Sequence, residues 1–168
     1  MSTFSQLWNN FPDKEKMKES CRNKQPDGSN EPFTDYCAIL LSECFNKSGI
    51  IYTAKGNCWS HNGKKHILLA ENLAIGLRTI LPRHFGKLEK IKPATFQNEL
   101  KGRTGVIFFK DYWQRDGQTF EGRAGDHIDL WNKDKITSSS MFTRSILEFF
   151  GRVSDFNKSK EIWFWEVK

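Results

Sequence analysis

The hydrophobic period of this chain changes once, near Gly105, and that single change sorts the folds open to it. Before it, apolar residues recur three and four apart. Phe4, Leu7, Trp8 and Phe11 predict a short opening helix that Pro12 stops. Cys37, Leu40, Leu41, Cys44 and Phe45 predict a helix over 36–48, with Gly49 where a C′ glycine belongs. Ile67, Ala70, Leu73, Ala74, Leu77 and Ile80 predict a second helix over 65–81, with Pro82 beyond it. Phe96 and Leu100 mark a third, short one after Pro93. From Gly105 onward, Val106-Ile107-Phe108-Phe109 is a continuous β-branched and aromatic run suited to a buried central strand. A strand over 126–132, a tight turn at Lys133-Asp134 and a strand over 135–139 read as a hairpin. Residues 141–150 fit a helix, and 161–167 a closing strand.

Helices first and antiparallel strands after them predict an α+β fold, N-terminal helices packed on a small antiparallel β-sheet. At 168 residues the chain fits one domain spanning 1–168. Residues 13–32 are polar and turn-rich and read as a loop around Gln25-Pro26-Asp27-Gly28-Ser29-Asn30. Ile50-Ile51-Tyr52 reads as a brief strand, and 111–125 as a charged loop.

Lys and Arg exceed Asp and Glu by 26 − 20, a net charge of +6. That balance favours polyanionic surroundings such as an anionic cell wall. The basic residues are scattered, so nucleic acid is not an expected partner. No apolar stretch approaches the roughly 20 residues that span a bilayer, so membrane insertion is not expected. The residues from Met1 to Trp8 lack the basic head and apolar region of a signal peptide. Action outside the cytoplasm would need another delivery route.

The four cysteines, Cys21, Cys37, Cys44 and Cys58, form no CxxC pair. There is no HExxH, no His pair at ligand spacing and no Gly-rich phosphate loop, so no metal or cofactor is expected. Buried free thiols are the expected state of Cys21, Cys44 and Cys58, with one bridge among them the oxidised alternative. His61, His66 and His84 read as surface or structural residues.

Two residues stand in contexts that suit catalysis. Cys37 opens an apolar helical run, with Thr34 or Asp35 as its expected N-cap. A helix N-terminus carries about half a positive charge and unpaired N–H groups, which favour a thiolate and can serve an oxyanion. His127 lies on a strand whose alternation sets His127, Asp129 and Trp131 on one face and Ile128 and Leu130 on the other. The Ile/Leu face reads as the core side, leaving the histidine face to look toward the N-terminal helices. A thiol at a helix N-terminus and an imidazole on a strand together suit papain-like cysteine hydrolysis.

The imidazole needs a third polar group to orient it. A three-residue hairpin loop sets Ser139 opposite His127. A two-residue loop sets Ser140 there and Ser138 opposite Asp129. Asp129 is the carboxylate on the same strand face, two residues along. It reads equally as an orienting group or as a solvated or hairpin-stabilising charge.

These segments, in this order, resemble the type VI secretion amidase effectors of family four, within the NlpC/P60 papain-like superfamily. The likeness is carried by Cys37-Ala38-Ile39-Leu40-Leu41-Ser42 with Lys47-Ser48-Gly49, and by Gly102-Arg103-Thr104-Gly105-Val106-Ile107-Phe108-Phe109. Gly125-Asp126-His127-Ile128-Asp129-Leu130-Trp131-Asn132, Glu161-Ile162-Trp163-Phe164-Trp165 and the opening Phe4, Leu7 and Trp8 complete it. The resemblance implies a papain-like NlpC/P60 fold and a bacterial toxin injected by secretion machinery into a competitor's periplasm. There it would cleave peptidoglycan stem peptides between γ-D-glutamate and meso-diaminopimelate. It further implies a cognate immunity protein, Cys37 as nucleophile and His127 as general base.

The chain departs from the family pattern twice. Leu40 stands where an Arg is common. The third catalytic position, an Asp elsewhere, falls on the Ser138/Ser139 stretch, so either a hydroxyl there, Ser139 first among Ser138, Ser139 and Ser140, serves at lower activity or Asp129 compensates. Two other readings stay open: a cysteine acyltransferase or transpeptidase on the same fold, and a non-catalytic cell-wall-binding protein.

Overall fold

The computed structural model describes residues 3–78, 85–115, 117–138, 141 and 155–168. Contacts divide the chain into two units, Met1–Ile80 and Leu81–Lys168. The first is built around a helix and the second around a sheet, so the α+β expectation holds.

In the first unit, α1 (Thr3–Asn10) ends just before Pro12, as its periodicity predicts, and buries Phe4 and Leu7. Residues 13–32 are not simply a loop. Asp13 caps α2 (Lys14–Ser20) by accepting from the Lys16 N–H at 3.0 Å. A small hairpin follows, β1 (Arg22–Lys24) against β2 (Asn30–Pro32), antiparallel. Only Met17 of α2 is buried, so no apolar period announced that helix.

The central helix is α3 (Cys37–Ser48), buried at Ala38 to Ser42, Cys44 and Phe45. Gly49 ends it in the left-handed region at φ 69°, and Ile50 N–H bonds back to the Phe45 carbonyl at 3.0 Å. Ser42 is buried yet satisfied, donating to the Ala38 carbonyl at 2.7 Å and accepting from Ile67 N–H at 3.0 Å.

Ile50-Ile51-Tyr52 forms no strand, and Ile51 is 85% exposed. The second predicted helix begins five residues late, as α4 (Ala70–Leu77). Its expected first turns are extended instead. Asn57 bridges Ile67, Cys58 N–H donates to the His66 carbonyl at 2.8 Å, and Leu68 N–H to that of Gly56 at 3.0 Å. This pairing overrides the helical spacing of Ile67 and Ala70. The far end of that helix, with Pro82 and His84, lies outside the described residues.

In the second unit β3 (Leu88–Ile91) precedes a 3-10 turn at Pro93–Thr95 and the short α5 (Phe96–Glu99). Then come β4 (Thr104–Trp113), β5 (Gly125–Asn132), β6 (Lys135–Ile136) and β7 (Glu161–Glu166). All pairs are antiparallel, in the order β3-β7-β4-β5-β6. The aromatic run of β4 is central, as expected, with Val106 to Phe109 fully buried.

Both faces of β5 are buried, which corrects the one-sided reading of that strand. Ile128 and Leu130 are buried on one face, and Asp129 and Trp131 on the other. The Trp131 face joins a cluster of Phe96, Leu100, Ile107, Phe109, Phe156 and Phe164, all from the same unit. Asn132 pairs with Lys135, so the hairpin loop is the two-residue Lys133-Asp134, with Lys133 at φ 65°. β6 stops at Ile136 instead of running to 139. Ser139, Ser140 and the predicted helix after Met141 lie outside the described residues.

Candidate active site

Cys37 is the first residue of α3 and is half-buried. Neither Thr34 nor Asp35 caps the helix. Tyr36 is the cap residue, without a side-chain cap bond, and its carbonyl accepts from Leu40 N–H at 2.8 Å. The Tyr36 ring anchors this entry. Its hydroxyl donates to the Cys21 carbonyl at 2.7 Å and accepts from Phe33 N–H at 3.2 Å. A buried aromatic therefore sets where the helix starts and leaves the thiol beside the first-turn N–H groups. Leu40 is buried with Met17, Tyr36, Ile39 and Cys58 in an apolar cluster.

His127 sits on β5 opposite Phe109 of β4. Its ring stacks on Phe156 at 5.6 Å and 21°, with Phe109 and Tyr112 at 6.4 Å. Just beyond Phe109 the β4–β5 register shifts, and Asp111 takes φ 49° with its N–H on Asp126 Oδ1 at 2.8 Å. A bulge thus adjoins the histidine, where such irregularities re-aim side chains.

Among the described residues, a carboxylate lies beside the ring. Asp129 Oδ2 lies 3.2 Å from His127 Nε2. Asp129 is 3% exposed, and its Oδ1 accepts from Leu130 N–H and from the Thr137 hydroxyl, both at 2.7 Å. Asp129 is therefore not a solvated charge, and its bond to Thr137, just past β6, also fits the hairpin-stabilising reading. The observed two-residue turn would carry Ser138 opposite Asp129 had pairing continued. β6 ends before it, and Ser138 is exposed. Ser139 lies outside the described residues. Thr137, which the sequence reading passed over, is the hydroxyl that engages Asp129.

A second set of reactive side chains was also missed. Cys21, Cys58, His61 and His66 bring one ligand atom each to within 4.8 Å of one another. All four cysteines are free thiols, and Cys21 and Cys58 are buried. Burial, with Cys58 beside it, pushes the Cys21 thiol up to about 12. Burial lowers the His66 imidazole although Glu43 opposes it. His61 and His66 are thus not bystanders on the surface. The legible signal was Cys58, His61 and His66 in one glycine-containing loop; Cys21 comes from the end of α2.

Residues 33–165 match the family described as type VI secretion system amidase effector protein 4. The chain belongs to this family. The match spans Cys37, His127 and Asp129, and it leaves Cys21 outside. No curated protein is matched at a significant level. Family membership makes the chain a peptidoglycan amidase, a hydrolase exported by the type VI machinery into a target cell as an antibacterial toxin. Among the described residues, no helix is long and apolar enough to cross a membrane.

Proposed function

We propose that this amidase effector works by cysteine acyl transfer, with Cys37 as nucleophile, His127 as general base and acid, and Asp129 orienting the imidazole. The observation that carries the reading is the 3.2 Å contact between His127 Nε2 and a buried carboxylate that is itself held by two donors. Such a carboxylate selects the tautomer with Nε2–H and stabilises the imidazolium formed in turnover. Proton exchange with the thiol is then assigned to Nδ1.

The Cys37 thiolate, at the start of α3, would attack the amide carbonyl. His127 would protonate the departing amine, giving a thioester and a free amino group. Water, deprotonated by the same ring, would then release the acid and restore the thiol.

The bond we assign is that between γ-D-glutamate and meso-diaminopimelate, in the recipient's periplasm. This follows from the family likeness around Cys37 and His127, and a cognate immunity protein is expected on the same ground. A net charge of +6 suits an anionic wall.

Digestion of purified peptidoglycan, with products identified by mass, tests the reading. The unaltered chain should release fragments ending in γ-D-glutamate and new free amines on diaminopimelate. Cys37→Ala should lose at least about 10³-fold in rate while keeping its circular dichroism. Undiminished cleavage by that folded variant would exclude covalent catalysis through Cys37. Transfer to an added amine in preference to water would make the enzyme an acyltransferase.

A further inference from the structure

Away from Cys37 and His127, four side chains of the first unit converge on one point. Cys58 Sγ lies 3.1 Å from His61 Nε2 and 3.9 Å from His66 Nδ1, and the two nitrogens are 3.1 Å apart. Cys21 Sγ completes a set whose members all lie within 4.8 Å. Zinc holds thiolate sulfur at about 2.3 Å and imidazole nitrogen at about 2.0–2.1 Å, so tetrahedral angles put ligand atoms roughly 3.3–3.8 Å apart. The observed separations bracket that range.

The ring hydrogen bonds sharpen the case. His61 Nδ1 faces the Asn62 carbonyl at 3.0 Å, and His66 Nε2 faces Glu43 Oε2 at 3.0 Å. Each outward nitrogen therefore meets an acceptor and carries the proton. The inward nitrogens are then both lone pairs, pointed at one another. Two lone pairs at hydrogen-bond distance repel unless something positive lies between them. A shared proton would satisfy the nitrogens alone, but two sulfurs converge on the same place. A divalent cation satisfies all four.

The surroundings are those of a metal centre. A carboxylate or carbonyl on the outer nitrogen of each histidine fixes its tautomer, as ligand histidines require. The His66 backbone N–H donates to Cys58 Sγ at 3.2 Å, so the loop's own backbone fixes where that sulfur sits. Cys58 is 2% exposed and Cys21 fully buried, so neither thiol is placed to meet a large substrate. His61 and His66 line an open depression of about 430 Å³ with Glu43 and Lys64, which offers a small ion an entry path.

We propose that Cys21, Cys58, His61 and His66 form a structural zinc site. Four protein ligands leave no open position, so the site serves the fold and not hydrolysis. Two thiols lose their protons as the ion binds, and the centre becomes neutral overall. The ion would tie the end of α2 to the loop carrying Cys58, His61 and His66, and through Glu43 to α3, the helix that starts at Cys37. The assignment is independent of the catalytic reading.

The full-length chain, purified from zinc-supplied cells without chelator, should carry about one zinc per chain by elemental mass spectrometry. Cobalt(II) added to the metal-stripped chain should give tetrahedral visible bands and a thiolate-to-cobalt charge-transfer band. His61→Ala and Cys21→Ser should lose the bound equivalent, while Cys44→Ser and Cys37→Ala keep it. Glu43→Gln should weaken zinc affinity about 10–100-fold. Should the ligand variants fail to fold, the cobalt spectrum of the unaltered chain decides alone. Absence of the charge-transfer band, or a Cys21–Cys58 disulfide with no zinc in the chain as isolated, would overturn the site. So would an equivalent of zinc that survives in folded His61→Ala and Cys21→Ser.

Discussion

Asp129 shows how one side chain decides what neighbouring letters cannot. Strand alternation put it on the histidine's face, but two residues apart on a flat strand is a long reach. The structure closes that gap to 3.2 Å, next to a β4–β5 irregularity and with Thr137 holding the other oxygen. Under the proposed mechanism, Asp129→Asn should lower kcat about 10²–10⁴-fold with little change in KM. Thr137→Val removes one donor to a charged acceptor, worth about 1.5–3 kcal/mol, and should cost roughly tenfold in kcat. Ser138→Ala, at an exposed position, should stay within about twofold of the parent enzyme. Steady-state kinetics on a defined muropeptide check all three. A serine variant as damaged as Asp129→Asn would return the orienting role to the serine stretch. The serine expectation came from hairpin register, and register is informative only while pairing lasts; here it ends at Ile136.

At the scale of elements, the strands of the second unit were legible because buried strands carry their signal in consecutive residues. What spacing could not convey is how closely they approach. A Cβ on Gly105 would sit 2.2 Å from the Trp165 carbonyl oxygen and 2.6 Å from the Phe164 ring, within the β4–β7 pair. Gly105→Ala should therefore destabilise by about 1–3 kcal/mol or more, read as a lower midpoint in urea unfolding. An unchanged midpoint would show that the strands can part there at little cost.

The start of β7 adds a pH term. The Trp163 indole N–H, and after it Lys90, hold the Glu161 carboxyl below its ordinary value. The unfolded chain then takes up this proton first as pH falls. The contribution is present above the ordinary carboxylate range and is lost as pH drops through the folded value. Unfolding midpoints of the unaltered chain and Glu161→Gln should therefore converge between about pH 6 and pH 3. A gap that stays constant over that range would refute the linkage. Weak elements were harder to foresee: α2 buries one residue, and the paired segment around Ile67 reads as helix by spacing alone.

For the molecule as a whole, charge is the property that composition alone supplies. A basic effector acting on an anionic wall should be held partly by screened electrostatics. Cosedimentation of the Cys37→Ala variant with intact sacculi should show the bound fraction falling as salt rises from about 0.05 M to 0.5 M, where the screening length shrinks several-fold. Binding indifferent to salt would assign recognition to neutral contacts. By itself the sequence determined the α+β class, α3 with its Gly49 stop, the central β4 run and the family, because each is written in residues adjacent or periodic along the chain. Tertiary structure decided that Asp129 and Thr137, not the exposed Ser138, join the hydrogen-bonded group at His127. It also brought Cys21 from the end of α2 to Cys58, His61 and His66. Those outcomes depend on where irregular segments pack, and the spacing of letters holds no record of a distance set by burial and hydrogen bonding in three dimensions.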